Sequence, residues 1–111
     1  MENMDGLWVV EFSSSLGLFG RGVMILNGQR ILGGDVGYYY SGKCTFDGCN
    51  IQGEVDAIRF DPDVISVFGD IESFTLSLHG TIQGTDFRAQ ATSDTFPNLQ
   101  MEVKGSKKED L

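Results

Sequence analysis

Tyr38-Tyr39-Tyr40-Ser41-Gly42-Lys43-Cys44-Thr45-Phe46-Asp47-Gly48-Cys49-Asn50-Ile51-Gln52-Gly53-Glu54-Val55-Asp56-Ala57 is two alternating runs hinged on Asp47-Gly48. Asp-Gly between such runs signals a two-residue β-hairpin, because a type I′ turn needs φ > 0 at both central residues. Centring the turn on Asp47 and Gly48 predicts the pairs Phe46 with Cys49, Thr45 with Asn50 and Cys44 with Ile51. The same register sets Tyr40 opposite Val55, Tyr38 opposite Ala57, and Gly42 opposite Gly53. One face then carries Tyr38, Tyr40, Cys44, Phe46, Cys49, Ile51, Val55 and Ala57. The other carries Tyr39, Ser41, Lys43, Thr45, Asn50, Gln52, Glu54 and Asp56, so one side is built for a core and the other for water.

Gln83-Gly84 repeats the pattern. Ile82 faces Thr85, Gly80 faces Phe87, Leu78 faces Ala89 and Leu76 faces Ala91, while His79 with Arg88, Ser77 with Gln90 and Thr81 with Asp86 fall on the opposite side. A one-residue slip would turn every side chain over, so the face assignment is well specified. Hairpin following hairpin predicts an all-β barrel or sandwich around an apolar interior.

The Asn27-Gly28 hairpin has two greasy faces: Val23, Ile25 and Leu32 with Arg30 on one, Met24, Leu26 and Ile31 with Gln29 on the other. The first strand is alike, with Leu7 and Val9 opposed to Trp8, Val10 and Phe12. A wall strand should offer water a polar face, so a cover is expected. A second copy of the chain is the cover predicted, through Leu7, Val9, Met24, Leu26 and Ile31; the C-terminal segment or the long loop is the alternative.

Arg59 to Glu72 breaks the alternation: Asp61-Pro62-Asp63 is a turn or helix-start signal, followed by apolar Val64, Ile65, Val67, Phe68 and Ile71. A short helix or loop that plugs one barrel end is expected there. Leu99 to Lys104 alternates as a last strand, and Gly105 to Leu111 reads as a frayed, charged tail.

The 111 residues fit one domain. Sixteen acidic against eight basic residues give a net charge of −8, which repels phosphate backbones and anionic membranes and attracts basic partners. No direct nucleic-acid binding and no membrane span are expected, and with an acidic opening that lacks a signal-like run a cytoplasmic address is the default expectation. Cys44 and Cys49 sit diagonally across the hairpin and read as two reduced thiols; His79 has no second histidine to share a metal, so neither metal nor cofactor is expected. Catalysis is not expected either. The one histidine lies on the opposite face from both thiols, the inner faces carry no carboxylate pair, and Gly33-Gly34-Asp35 lacks the lysine and helix of a phosphate loop.

Gly6-Leu7-Trp8 resembles the Gly-x-Trp signature of lipocalin-like (calycin) barrels. With Gly20-x-Gly22, Asn27-Gly28, Gly33-Gly34-Asp35 and Tyr40-x-Gly42, it resembles the GrlR family of negative regulators of type III secretion gene expression, over residues 5 to 57. The resemblance implies a closed up-and-down barrel of about eight strands, dimeric, with a hydrophobic cavity and a loop plugging one end. Family members bind a transcriptional activator and keep it off DNA through an acidic inter-strand loop. Here the corresponding turn, Phe46-Asp47-Gly48-Cys49, holds one carboxylate.

Two binding functions follow. As a non-enzymatic regulator, the chain would meet a basic transcriptional regulator with Asp47, Glu54, Asp56, Asp61, Asp63, Asp70 and Glu72. As a holder of a small apolar or lipid-like ligand, it would use an interior formed by Trp8, Tyr38, Tyr40, Phe46, Val55, Phe74, Leu76, Leu78, Phe87 and Met101. Whether bulky and small inward residues dovetail into a solid core or leave a hollow stays open at this level, since eight strands lie at that boundary.

Overall fold

A computed structural model describes residues 4–15, 17, 19–65, 70–98 and 100–111. Eight strands follow one another: β1 (Gly6–Ser14), β2 (Phe19–Asn27), β3 (Arg30–Gly34), β4 (Tyr38–Asp47), β5 (Asn50–Arg59), β6 (Ser73–Gln83), β7 (Asp86–Thr92) and β8 (Gln100–Asp110). Each is antiparallel to the next, and β8 pairs back onto β1, closing an up-and-down barrel that leaves no free edge. The described residues contain no helix.

Side chains alternate in and out as the pleat demands. Trp8, Val10, Leu26, Ile31, Tyr38, Cys44, Val55, Ala57, Phe74, Leu76, Ile82, Phe87, Ala89, Ala91, Met101 and Val103 are buried inside. Removing each large one from water contributes about 1.5–3 kcal/mol, which makes this shared interior the main source of stability.

The turns correct the predicted registers in one consistent way. Asn27 pairs with Arg30, Asp47 with Asn50, and Gln83 with Asp86, so the central residues are Gly28-Gln29, Gly48-Cys49 and Gly84-Thr85. The three glycines have φ of 64, 60 and 62°, and no described residue other than glycine has positive φ. That fits type II′, in which glycine stands first and only the first central residue needs positive φ. Moving a turn by one residue shifts each cross-strand partner by two, so Tyr40 meets Ala57, Gly42 meets Val55, Cys44 meets Gly53 and His79 meets Gln90. A two-residue shift keeps parity, so the two faces survive the correction. Cys49 is the exception: it leaves the inner face for the exposed turn.

Two further expectations change. Residues 105 to 110, read as a frayed tail, continue β8 along β1, with Lys107 opposite Trp8, Asp110 opposite Gly6 and a bulge between Leu7 and Trp8. Closure needs a last strand as long as the first, and ladder hydrogen bonds hold it where apolar burial does not. Leu99, predicted to start this strand, lies outside the described residues.

Met24, Leu26 and Ile31, expected at a partner interface, point inward instead. Leu26 pairs with Ile31 inside the barrel, and Met24 packs on the same core. Only Leu7 and Val9 of that set face outward, where Leu7 lies opposite Ile25, Val9 opposite Val23, and Ile25 opposite Leu32. Val23 is 47% and Leu32 44% exposed, so an apolar stripe does run over the outer wall, on the other parity.

The connection from β5 to β6 is a loop in its described part. Phe60 and Asp61 donate backbone N–H groups to Gly37, and Val64 donates to Asp61 in a tight turn. Val64 and Ile71 pack against the core, while Ile65 is exposed; Val67 and Phe68, assigned to the same plug, lie outside the described residues. Arg59 forms an ion pair with Asp70 across the loop. This loop and the β3–β4 connection therefore close one end of the barrel, and the three tight hairpins mark the other.

Candidate functional site: an apolar cavity with a polar mouth

The barrel is hollow. A cavity of about 240 Å³ lies between the sheet walls. Its hairpin end is stopped by Trp8, whose ring is fully buried and sits 5.4 Å from that of Phe87. The indole N–H donates to the Met4 carbonyl at 3.0 Å, which removes the one polar atom that burial would otherwise strand. Phe87 in turn lies over Gly105, its cross-strand partner, and Phe12 lies over Gly20 in the same manner. Aromatic rings covering opposite glycines fix both ring positions and the register.

Along the walls, Tyr38 packs on Phe74 with centroids 5.8 Å apart and donates its hydroxyl proton to the Ile71 carbonyl, tying the loop end to the barrel. Tyr40 stands edge-on to Phe12, 6.5 Å between centroids. All ten residues read as interior, Trp8, Tyr38, Tyr40, Phe46, Val55, Phe74, Leu76, Leu78, Phe87 and Met101, line the hollow. Met24, Leu26 and Ile31 join them. Gly20, Gly53 and Ala57 also line it, and the side chains they lack account for part of the space.

The loop end carries the polar groups. Asp35 Oδ1 accepts the backbone N–H of Gly37 at 3.0 Å and of Tyr38 at 2.9 Å, and Oδ2 accepts the Tyr40 hydroxyl. Burial first, and then the Asp35 hydrogen bond and charge, push the Tyr40 phenol well above its usual range, so it stays protonated as the donor. Burial also lifts the Cys44 thiol to about 11. At the rim Phe19, Val36 and Ile65 are exposed, and Arg21 stacks 5.2 Å over the Phe19 ring while its Nε lies 3.4 Å from Glu11.

Asp35, Arg21 and Phe19 were not singled out from the sequence. Asp35 entered only within Gly33-Gly34-Asp35, set aside as a phosphate loop and counted among the residues that carry the family resemblance. The available signal was its place at a short strand connection, where an aspartate accepts backbone amides two and three residues on, which in this chain aims it at the inward tyrosine five residues away.

The seven candidate surface carboxylates do not form one patch. Glu54 and Asp56 project from the outer wall of β5, with Asp56 accepting from Thr75 Oγ1 at 2.6 Å. Asp61, Asp63, Asp70 and Glu72 sit in the loop at one end, where Asp70 is already paired with Arg59. Asp47 is at the opposite, hairpin end. Ten strand residues separate the ends, roughly 33 Å. His79 is exposed on the outer wall. Among the described residues, no three His, Cys, Asp or Glu side chains gather as a metal could use them. No protein-family model matches the chain, and no curated protein matches it either.

Proposed function

We propose that this chain is a binding protein that holds one small apolar or lipid-like molecule inside its barrel. The observation that carries the reading is the hollow itself: about 240 Å³ bounded mainly by aromatic and aliphatic side chains, with its charged groups at one end. Space of this kind costs packing energy when empty and is regained when an apolar guest fills it. Titration of the purified chain with the neutral fluorophore N-phenyl-1-naphthylamine tests this. One saturable site, lost when Ala57→Leu fills the hollow, supports it; no enhancement of emission in the native chain refutes it.

The outer surface supports a second reading, in which the barrel regulates by protein contact. Glu54 and Asp56 on the wall and Asp61, Asp63 and Glu72 in the adjoining loop give a basic partner a favourable field, within a net charge of −8. On the resemblance to GrlR-type negative regulators, that partner is a transcriptional activator. A second copy would pack on Leu7, Val9, Val23, Ile25 and Leu32 rather than on Met24, Leu26 and Ile31. Co-purification of a basic DNA-binding protein that is lost with Asp61→Asn, Asp63→Asn and Glu72→Gln combined supports this reading, and unchanged capture removes the patch.

A further inference from the structure

The ligand's head can be specified from the donors and acceptors that face the hollow. Tyr38 has given its proton to Ile71, and Tyr40 has given its proton to Asp35. Both hydroxyls are therefore spent as donors and retain only lone pairs. Asp35 Oδ1 is filled by two backbone amides, while Oδ2 takes one hydroxyl and has a second acceptor site left. The side of the mouth formed by Tyr38, Tyr40 and Asp35 is thus rich in acceptors and poor in donors.

Charge points the same way. Among the described residues Arg21 is the one cation lining the hollow, but its strand parity directs it to the outer wall, and it is 68% exposed, bound to Glu11 and stacked on Phe19. Glu11 and Asp35 stand beside Arg21 at the mouth, while Arg59 at the same end of the barrel, 13% exposed, is already held by Asp70 and the Val64 carbonyl, on a chain of net charge −8. Gln52, a neutral amide, lines the opposite, hairpin end. A carboxylate-headed guest would meet lone pairs and like charge, whereas an ammonium head would meet a partly buried carboxylate with a free acceptor site.

Building on the cavity reading above, we propose that the guest is an apolar-tailed molecule with a cationic, hydrogen-bond-donating head of the alkylamine class, seated with its nitrogen on Asp35 Oδ2 and the Tyr40 oxygen and its tail toward Trp8. The sign of the head is what distinguishes it from a fatty-acid carrier. A neutral alcohol head donates one hydrogen bond without the charge, and should bind between the two.

Competition for N-phenyl-1-naphthylamine by dodecylamine, 1-dodecanol and dodecanoate, at neutral pH and fixed ionic strength on the full chain, tests the proposal. Dodecylamine should displace the probe at a concentration at least tenfold below that of dodecanoate. Asp35→Asn should bring the two within about threefold, and Tyr40→Phe, which frees Oδ2, should keep or widen the native preference. Dodecanoate binding as tightly as dodecylamine to the native chain overturns the proposal. So does an unchanged preference in a folded Asp35→Asn variant, or a preference lost in Tyr40→Phe. Those outcomes leave the cavity reading standing; failure of the probe and all three competitors to bind removes both.

Discussion

The ring of Phe87 fills the space that a side chain on Gly105 would occupy: a Cβ there would lie 1.9 Å from Phe87 Cε2. The ring has little room to yield, because Trp8 stands against it at the stopped end of the barrel. Gly105→Ala should therefore destabilise by about 1–3 kcal/mol through overpacking. In a domain of this size that lowers the melting temperature by roughly 4–8 °C per kcal/mol. Differential scanning calorimetry of the variant checks it, and a melting temperature unchanged within a degree refutes the contact.

The turn geometry makes a separate prediction. Nothing lies within 4 Å of a Cβ built on Gly28 or Gly48, so substitution there meets strain and not collision. Gly28→Ala should cost about 1–3 kcal/mol for holding a side chain at positive φ. Gln29→Ala, at the second central residue with ordinary φ, should be nearly neutral. Equal effects at 28 and 29 in denaturant titrations would indicate positive φ at both, hence type I′.

The same turns show what the sequence made legible. The inward and outward sets of β4 to β7 could be read from alternation alone, because parity is indifferent to where a two-residue turn is centred by one position. The centring was not legible, since Asp-Gly serves a type I′ turn while the same Gly can also open a type II′ turn with the residue after it. Residues 105 to 110 were misread because a charged strand is held there by pairing with β1, a non-local partner that no local pattern reveals. Met24, Leu26 and Ile31 were separable from Val23, Ile25 and Leu32 by parity, but which set turned inward depended on how the first strand closed the barrel. Asp35 escaped because its importance lies in the Tyr40 hydroxyl it faces.

Alkaline stability should follow the buried Cys44 and the half-buried Tyr40. Cys44 titrates near 11 when folded against 9 for an ordinary thiol, and Tyr40 is likewise raised. The folded state therefore keeps protons that the unfolded state releases, so stability is intact below about pH 9 and falls as pH rises toward 11. Denaturant midpoints from pH 7 to 11 should show that decline, shallower in Cys44→Ala. A stability that climbs over this interval would contradict the assigned burial.

The thiols should also differ in reactivity. Cys49 is exposed in a turn, whereas Cys44 is buried and protonated. A disulfide-exchange reagent at neutral pH should modify one thiol promptly and the second only on unfolding. Two equally fast thiols would place Cys44 outside the barrel.

Association through the outer stripe is tested at Val23 and Leu32, which are exposed on the outer wall and do not line the cavity. Val23→Glu with Leu32→Glu should turn a concentration-dependent dimer into a monomer in sedimentation equilibrium, while fluorophore binding persists. A native chain that is monomeric at every concentration removes the stripe as a self-association surface.

Native mass spectrometry of freshly purified protein reaches the central point most directly, because a guest enclosed between Trp8 and the Asp35 mouth should survive transfer to the gas phase. The account predicts a discrete adduct of the mass of one lipid-sized molecule, removed by organic extraction and absent from Ala57→Leu. Only the bare chain mass, in every preparation and after incubation with apolar ligands, would contradict it.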